Sequence, residues 1–178
     1  MANVRSRAVA ATIALLAVLV VPQTTAGGQG PPTCNGVPAT LVGDDGDNLL
    51  IGTAGRDVIA GMGGNDIIRG LGGNDLICGD NGRDRLFGGE GNDELHGGLK
   101  NDILKGDQGR DMLFGNQGQD RLFGGGGIDA LTGGSGTRDR LFGKGGSDTC
   151  TDPQATTFVN TCEIVQVQLP GSGVTALH

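Results

Sequence analysis

From residue 43 onward, aliphatic residues return at every ninth position, and most of what lies between them is glycine or polar. The file runs Leu50, Ile59, Ile68, Ile77, Leu86, Leu95, Leu104, Leu113, Leu122 and Leu131, and reaches Leu141 after one extra residue. Its neighbours are mixed. Leu49, Val58, Ile67, Leu76, Arg85, Glu94 and Arg121 precede members of the file, while Arg69, Phe87, His96, Lys105 and Phe114 follow them. Successive side chains of an extended chain point to opposite faces, so this pattern predicts one inward aliphatic between two outward residues. A strand of about three residues is unstable alone and must stack with copies of itself to bury its apolar side chain. Helix is excluded, because each interior glycine costs about 1 kcal/mol relative to alanine.

The complete unit is clearest in Gly88-Gly89-Glu90-Gly91-Asn92-Asp93-Glu94-Leu95-His96. Glycine holds position 1 and often 2, glycine holds 4, aspartate holds 6 and the aliphatic holds 8. About a dozen such units in tandem fill Gly43 to Thr151. Positions 1 to 6 are expected to form a turn, with glycine where the backbone needs φ > 0 and with several carbonyl oxygens turned inward. The recurring acids are Asp57, Asp66, Asp75, Asp84, Asp93, Asp102, Asp111, Asp120, Asp129 and Asp148.

Carbonyl and carboxylate oxygens together suit Ca²⁺, which accepts six to eight oxygen ligands in flexible geometry, better than Mg²⁺ with its tight octahedron. One turn holds too few ligands. If two repeats complete one coil, repeat n lies over repeat n+2, which pairs Asp57 with Asp75, Asp66 with Asp84, and Asp93 with Asp111. Without a cation these pairs are like charges that oppose folding. With one they become ligands, so metal binding is expected to be coupled to folding. The competing reading, aspartates that only make turn hydrogen bonds, explains a single Gly-Asn-Asp loop but not the recurrence. Three units break the pattern: Asn48 replaces the acid, Lys100 replaces the glycine of position 4, and Asp139 sits one place late. Weakened or distorted sites are expected there.

The string Gly-Gly-x-Gly-x-Asp-x-(aliphatic)-x resembles the RTX, or haemolysin-type, calcium-binding nonapeptide, and it covers roughly two thirds of the chain. The resemblance implies an all-β fold, a parallel β-roll in which a right-handed two-sheet solenoid lodges several Ca²⁺ ions between successive loops. Many members carry a toxin, protease or lipase domain with a C-terminal export signal. This chain resembles instead the small exported bacterial type, so the toxin and enzyme activities do not carry over.

The flanks suggest export. Residues 1–26 read as a signal peptide, with Arg5 and Arg7 ahead of an apolar run and Thr24-Thr25-Ala26 at a cleavage point; an N-terminal membrane anchor is the alternative. Residues 27–42 are expected to cap the array, 43–151 to form it, and 152–178 to make a C-terminal cap and tail. Within that tail, Glu163 to Leu169 alternate like an edge strand and the last eight residues look frayed. Cys34, Cys78, Cys150 and Cys162 form an even set, which suggests disulfides in an oxidising compartment. Four cysteines allow three connectivities; the local Cys150–Cys162 loop, leaving Cys34–Cys78, is preferred.

Charge and composition narrow the function. Losing residues 1–26 removes two bases and no acid, which moves the net charge from −7 to −9. That disfavours nucleic acid and anionic membrane as partners and favours cations. The only histidines are His96, in an outward slot, and His178, and neither a zincin motif nor a nucleophile elbow is present, so no enzyme is expected. The reading is a secreted, extracellular calcium-binding repeat protein. The alternative is an adhesion or surface-recognition module with a cell-surface, matrix or polysaccharide partner. Under two-repeat coils, Arg85, Arg121 and Arg140 fall on one side with Phe87, Phe123 and Phe142.

Overall fold

The structure is a computed structural model that describes residues 30–136, 138–152, 158–160, 162, 164–167 and 175–177. The expected signal peptide, 1–26, lies outside the described residues. The N-terminal strands are β1 (Thr33–Cys34), β2 (Val37–Pro38) and β3 (Leu41–Val42). The array supplies β4 (Leu49–Ile51), β5 (Val58–Ala60), β6 (Ile67–Gly72), β7 (Leu76–Asn81), β8 (Arg85–Glu90) and β9 (Glu94–Leu99). It continues through β10 (Ile103–Gln108), β11 (Met112–Gln117), β12 (Arg121–Gly126), β13 (Ala130–Gly134), β14 (Arg140–Gly145) and β15 (Thr149–Asp152). Beyond it lie β16 (Phe158–Asn160), β17 (Ile164–Val167) and β18 (Thr175–Leu177).

Alternate strands go to alternate sheets. One sheet has seven strands in the order β16-β14-β12-β10-β8-β6-β4, and the other has nine in the order β18-β17-β15-β13-β11-β9-β7-β5-β3. Within the array each strand pairs in parallel with the strand one coil away: Leu86 lies beside Leu104, and Leu104 beside Leu122. Two repeats therefore make one coil, and the fold is a parallel β-solenoid of about six turns. Between the sheets runs a single ladder of Leu41, Leu50, Ile59, Ile68, Ile77, Leu86, Leu95, Leu104, Leu113, Leu122, Leu131, Leu141 and Cys150, all buried.

Two expectations are corrected. From β6 to β12 the strands run for six residues rather than three, from position 7 through position 3 of the next repeat. The turn therefore occupies positions 4 to 6, not 1 to 6. The cause is the stack, because the next coil offers a backbone partner to the glycines as well, and Asp107 sits beside Gly89 and Gly125 in register. The tail also differs. Parallel pairing continues through β16 on β14 and β17 on β15, and β18, within the last eight residues, pairs antiparallel to β17.

The lead-in folds as the β1–β2 hairpin, turned by Asn35 (φ 47°) and Gly36 (φ 80°), the left-handed pair that a tight hairpin requires. Its Cys34 is buried with Val58, Leu76 and Cys78 in a second cluster on the outer side of the nine-stranded sheet. The disulfides are Cys34–Cys78 and Cys150–Cys162.

The stack predicts a sharp contrast between neighbours. Leu104→Ala should cost about 2–5 kcal/mol in urea unfolding, because it opens a cavity in a core one residue wide. Met112→Ala, at an exposed outward position, should stay within about 0.5 kcal/mol.

Candidate metal centre

The strand alternation that turns position 8 inward also turns position 6 inward. Asp66, Asp75, Asp84, Asp93, Asp102, Asp111, Asp120, Asp129, Asp139 and Asp148 are all buried. One carboxylate oxygen of each is used by the fold. Oδ1 of Asp75 accepts the N–H of Asp57 at 2.8 Å, Oδ1 of Asp93 accepts that of Asp75 at 2.8 Å, and Oδ1 of Asp111 accepts that of Asp93 at 2.9 Å. The same ladder continues through Asp129 and Asp148, at 2.9 Å each. A second ladder serves the seven-stranded sheet. It begins with the Asn48 N–H on Asp66 Oδ1 at 2.8 Å, passes through Asp84, Asp102 and Asp120, and ends with the Asp120 N–H on Asp139 Oδ1 at 2.9 Å.

The other oxygen has no partner. Oδ2 of each of these ten aspartates lacks any hydrogen bond. An orphaned buried acceptor costs about 1–3 kcal/mol, and more when charged. Position 1 shows what surrounds it. A methyl group added to Gly79 would lie 2.5 Å from Asp84 Oδ2 and 2.7 Å from the Gly97 carbonyl oxygen of the next coil. At Gly97 the corresponding distances are 2.6 Å to Asp102 Oδ2 and 2.8 Å to the Gly115 oxygen. Glycine is thus needed here for space, because a carboxylate oxygen and a carbonyl oxygen already take the place a Cβ would fill. A buried carboxylate oxygen without a donor calls for a proton or a cation.

The electrostatics agree. Burial pushes the Asp102 carboxyl up to about 8, those of Asp111 and Asp120 up to about 7, and those of Asp84 and Asp93 up to about 6. Asp66, Asp75, Asp129 and Asp139 are raised as well. In every case loss of water is the largest cause. The donated backbone N–H opposes it, and neighbouring acids add to it: Asp93 and Asp129 for Asp111, Asp120 and Asp84 for Asp102. Successive coils lie about 4.8 Å apart, so two ionised neighbours would repel by roughly 3 kcal/mol at an effective dielectric of about 20.

Among the described residues, no three His, Cys, Asp or Glu side chains gather into a metal-binding group. The carboxylates fit a hard, oxygen-preferring cation only with backbone carbonyls completing its shell, which is the donor set Ca²⁺ takes. The loops are shaped for that. Position 4 is left-handed at Gly73 (φ 106°), Gly91 (φ 128°) and Gly109 (φ 129°). Lys100 adopts the same region (φ 76°), so its loop keeps the common shape at a strain of about 1–2 kcal/mol, and the expected distortion is absent.

Nine of the ten aspartates singled out in the sequence fall on these ladders as buried members. Asp57 sits at the open end, half-buried, and its Oδ2 already accepts the Thr53 N–H at 2.6 Å and the Thr53 hydroxyl at 2.9 Å. Asp139, set aside as misplaced, is fully buried and joins the ladder like the rest, so the expected distortion is absent there as well. The loop ahead of it absorbs the extra residue. Counting back from Leu141 instead of forward from Gly133 finds it, because Asp139 keeps the two-residue step to its aliphatic that every other repeat shows.

The model of the RTX calcium-binding nonapeptide repeat matches residues 42–77, 78–113, 96–131 and 114–150. The chain belongs to this family and is a calcium-binding repeat protein. The repeat that defines the family is a structural calcium-binding element. No curated protein matches the chain.

A pH dependence follows. The carboxyls of Asp66, Asp75, Asp84, Asp93, Asp102, Asp111, Asp120, Asp129 and Asp139 are raised above the 3.8 of the unfolded chain, reaching about 8 at Asp102, so the folded chain holds more protons than the unfolded one across that window. Their contribution is complete below pH about 4 and is lost as pH rises toward 8. In EGTA the chain should therefore show more β-structure and a higher urea midpoint at pH 5 than at pH 8, read by circular dichroism.

Proposed function

We propose that Ca²⁺ held along the two aspartate ladders drives folding of the roll after export, and that the chain serves as a secreted calcium-binding structural module. The observation that carries this reading is the set of ten buried ladder carboxylates, each with one oxygen committed to the preceding coil and one orphaned. When bound, Ca²⁺ supplies the positive charge that makes ionised, desolvated carboxylates tolerable at neutral pH. The remaining work is done by the chain. The Asp N–H groups hold each carboxylate in place, glycine at position 1 leaves it room, and the left-handed residues shape the loop. Asp66, Asp75, Asp84, Asp93, Asp102, Asp111, Asp120, Asp129, Asp139 and Asp148 are the proposed ligands. Asp57, already engaged by Thr53, would make a weaker terminal site.

Export is supported by the apolar, Arg-led segment at residues 1–26 and by the two disulfides, which persist in oxidising compartments. The same placement suits the cation, since extracellular calcium modules work at about 10⁻⁴–10⁻³ M.

Ion counting separates the ligands. Asp111→Ala should lower the calcium bound in equilibrium dialysis and shift the midpoint about tenfold or more, as loss of a charged ligand of roughly 1.5–3 kcal/mol implies. Asp57→Ala should shift it far less. Equal, small shifts in both variants would remove the ladders from the binding site.

A further inference from the structure

The strand cations are confined to one face. Arg69, Arg85, Lys105, Arg121, Arg140 and Lys144 all lie in the seven-stranded sheet, and the described strands of the other sheet contain no lysine or arginine. In a chain of net charge −7 this is a concentrated positive surface. It is most crowded at the end of β12 and β14, where Arg121 and Arg140 are direct register partners. Like charges directly opposite each other destabilise a sheet, and no acid among the described residues lies within ion-pair distance of either guanidinium. Arg138, on the loop before β14, joins them. These three arginines, with Asn101 and Gln119, line a cleft of about 270 Å³. Asp120 also borders it, but its carboxyl is buried, with Oδ1 on the Asp102 N–H of the ladder and Oδ2 among the orphaned oxygens.

Next to the cleft the face becomes aromatic. Phe123 and Phe142 stack at 4.9 Å between ring centroids, with Arg121 (5.7 Å) and Lys144 (5.3 Å) over the Phe123 ring. Two strands further on, Lys105 and Arg69 flank the Phe87 ring at 5.3 and 5.7 Å.

We propose that the Arg121–Arg138–Arg140 cleft, with the adjoining Phe123–Phe142 pair, binds an acidic polysaccharide whose carboxylate or sulfate groups enter the cleft. The forked, planar guanidinium matches such anions with two parallel hydrogen bonds, which a lysine cannot offer. The anion removes the repulsion that the fold leaves between Arg121 and Arg140. The phenyl faces offer an apolar bed for a sugar ring, and the cations repeating from strand to strand follow an extended polymer. Nucleic acid is the less suited polyanion. It carries one charge per about 1.7 Å of duplex, so a chain of net charge −7 repels it more than a polysaccharide of lower charge density.

The test uses the mature chain in a calcium-containing buffer of low ionic strength, over immobilised chondroitin sulfate, desulfated chondroitin, neutral dextran and duplex DNA. Binding to chondroitin sulfate is expected, with none to dextran; the desulfated polymer tells whether carboxylates alone suffice. Arg138→Gln/Arg140→Gln should weaken it about tenfold or more, as loss of charge-assisted hydrogen bonds implies. The charge-matched pair Arg56→Gln/Arg110→Gln should change it by less than about twofold, as charges outside the contact act only through the screened field. Arg121→Gln/Arg140→Gln repeats the test from the strand side, and circular dichroism reports that each variant keeps its β-structure. Absence of binding, equal loss in the two charge-matched pairs, or DNA bound as tightly as chondroitin sulfate would overturn the proposal.

Discussion

Everything in this structure depends on how one carboxylate is shared between two coils. Asp Oδ1 accepts the N–H of the aspartate one coil earlier, which sets the 18-residue register and turns the acid into the roll. Oδ2 is left facing a carbonyl oxygen where position 1 has no Cβ. The same side chain is thus a structural brace and a source of instability. Repeated ten times, it makes the roll a fold that its own hydrogen bonds do not complete.

The apolar core does little to offset this. It is a ladder one residue wide, from Leu41 to Cys150, and each leucine or isoleucine contributes roughly 1.5–3 kcal/mol when buried. Against it stand the orphaned acceptors, repulsion along both ladders, and the ordering of a chain with 37 glycines, which lose more freedom than any other residue. A proton or a divalent cation changes that balance at every rung. Low pH supplies the first and Ca²⁺ the second, which links a pH response to a metal response through the same oxygens.

Most of this was legible in the sequence. The nine-residue return of the aliphatics identified the inward ladder, and the two-repeat coil correctly paired Asp57 with Asp75 and Asp93 with Asp111. What the pattern could not supply was depth. Position 6 looked like the end of a loop, whereas strand alternation makes it part of the interior. Strand length was underestimated because glycine has weak strand preference of its own, and in the stack the neighbouring coil decides. Asp139 falls out of register when repeats are counted from their glycines, because the Asp-x-Leu step is what carries the register. The β1–β2 hairpin was visible as a lead-in, but its seat on Val58, Leu76 and Cys78 needed the outward face in three dimensions.

The central claim is that cation binding and folding are one event. It is tested most directly by titrating Ca²⁺ into the chain at pH 7.5 while bound calcium and far-ultraviolet circular dichroism are followed together. The account predicts little β-signal in EGTA and a single cooperative rise in which bound ions and β-structure increase in step. A full β-signal in EGTA, followed by calcium binding that leaves the spectrum unchanged, would contradict it.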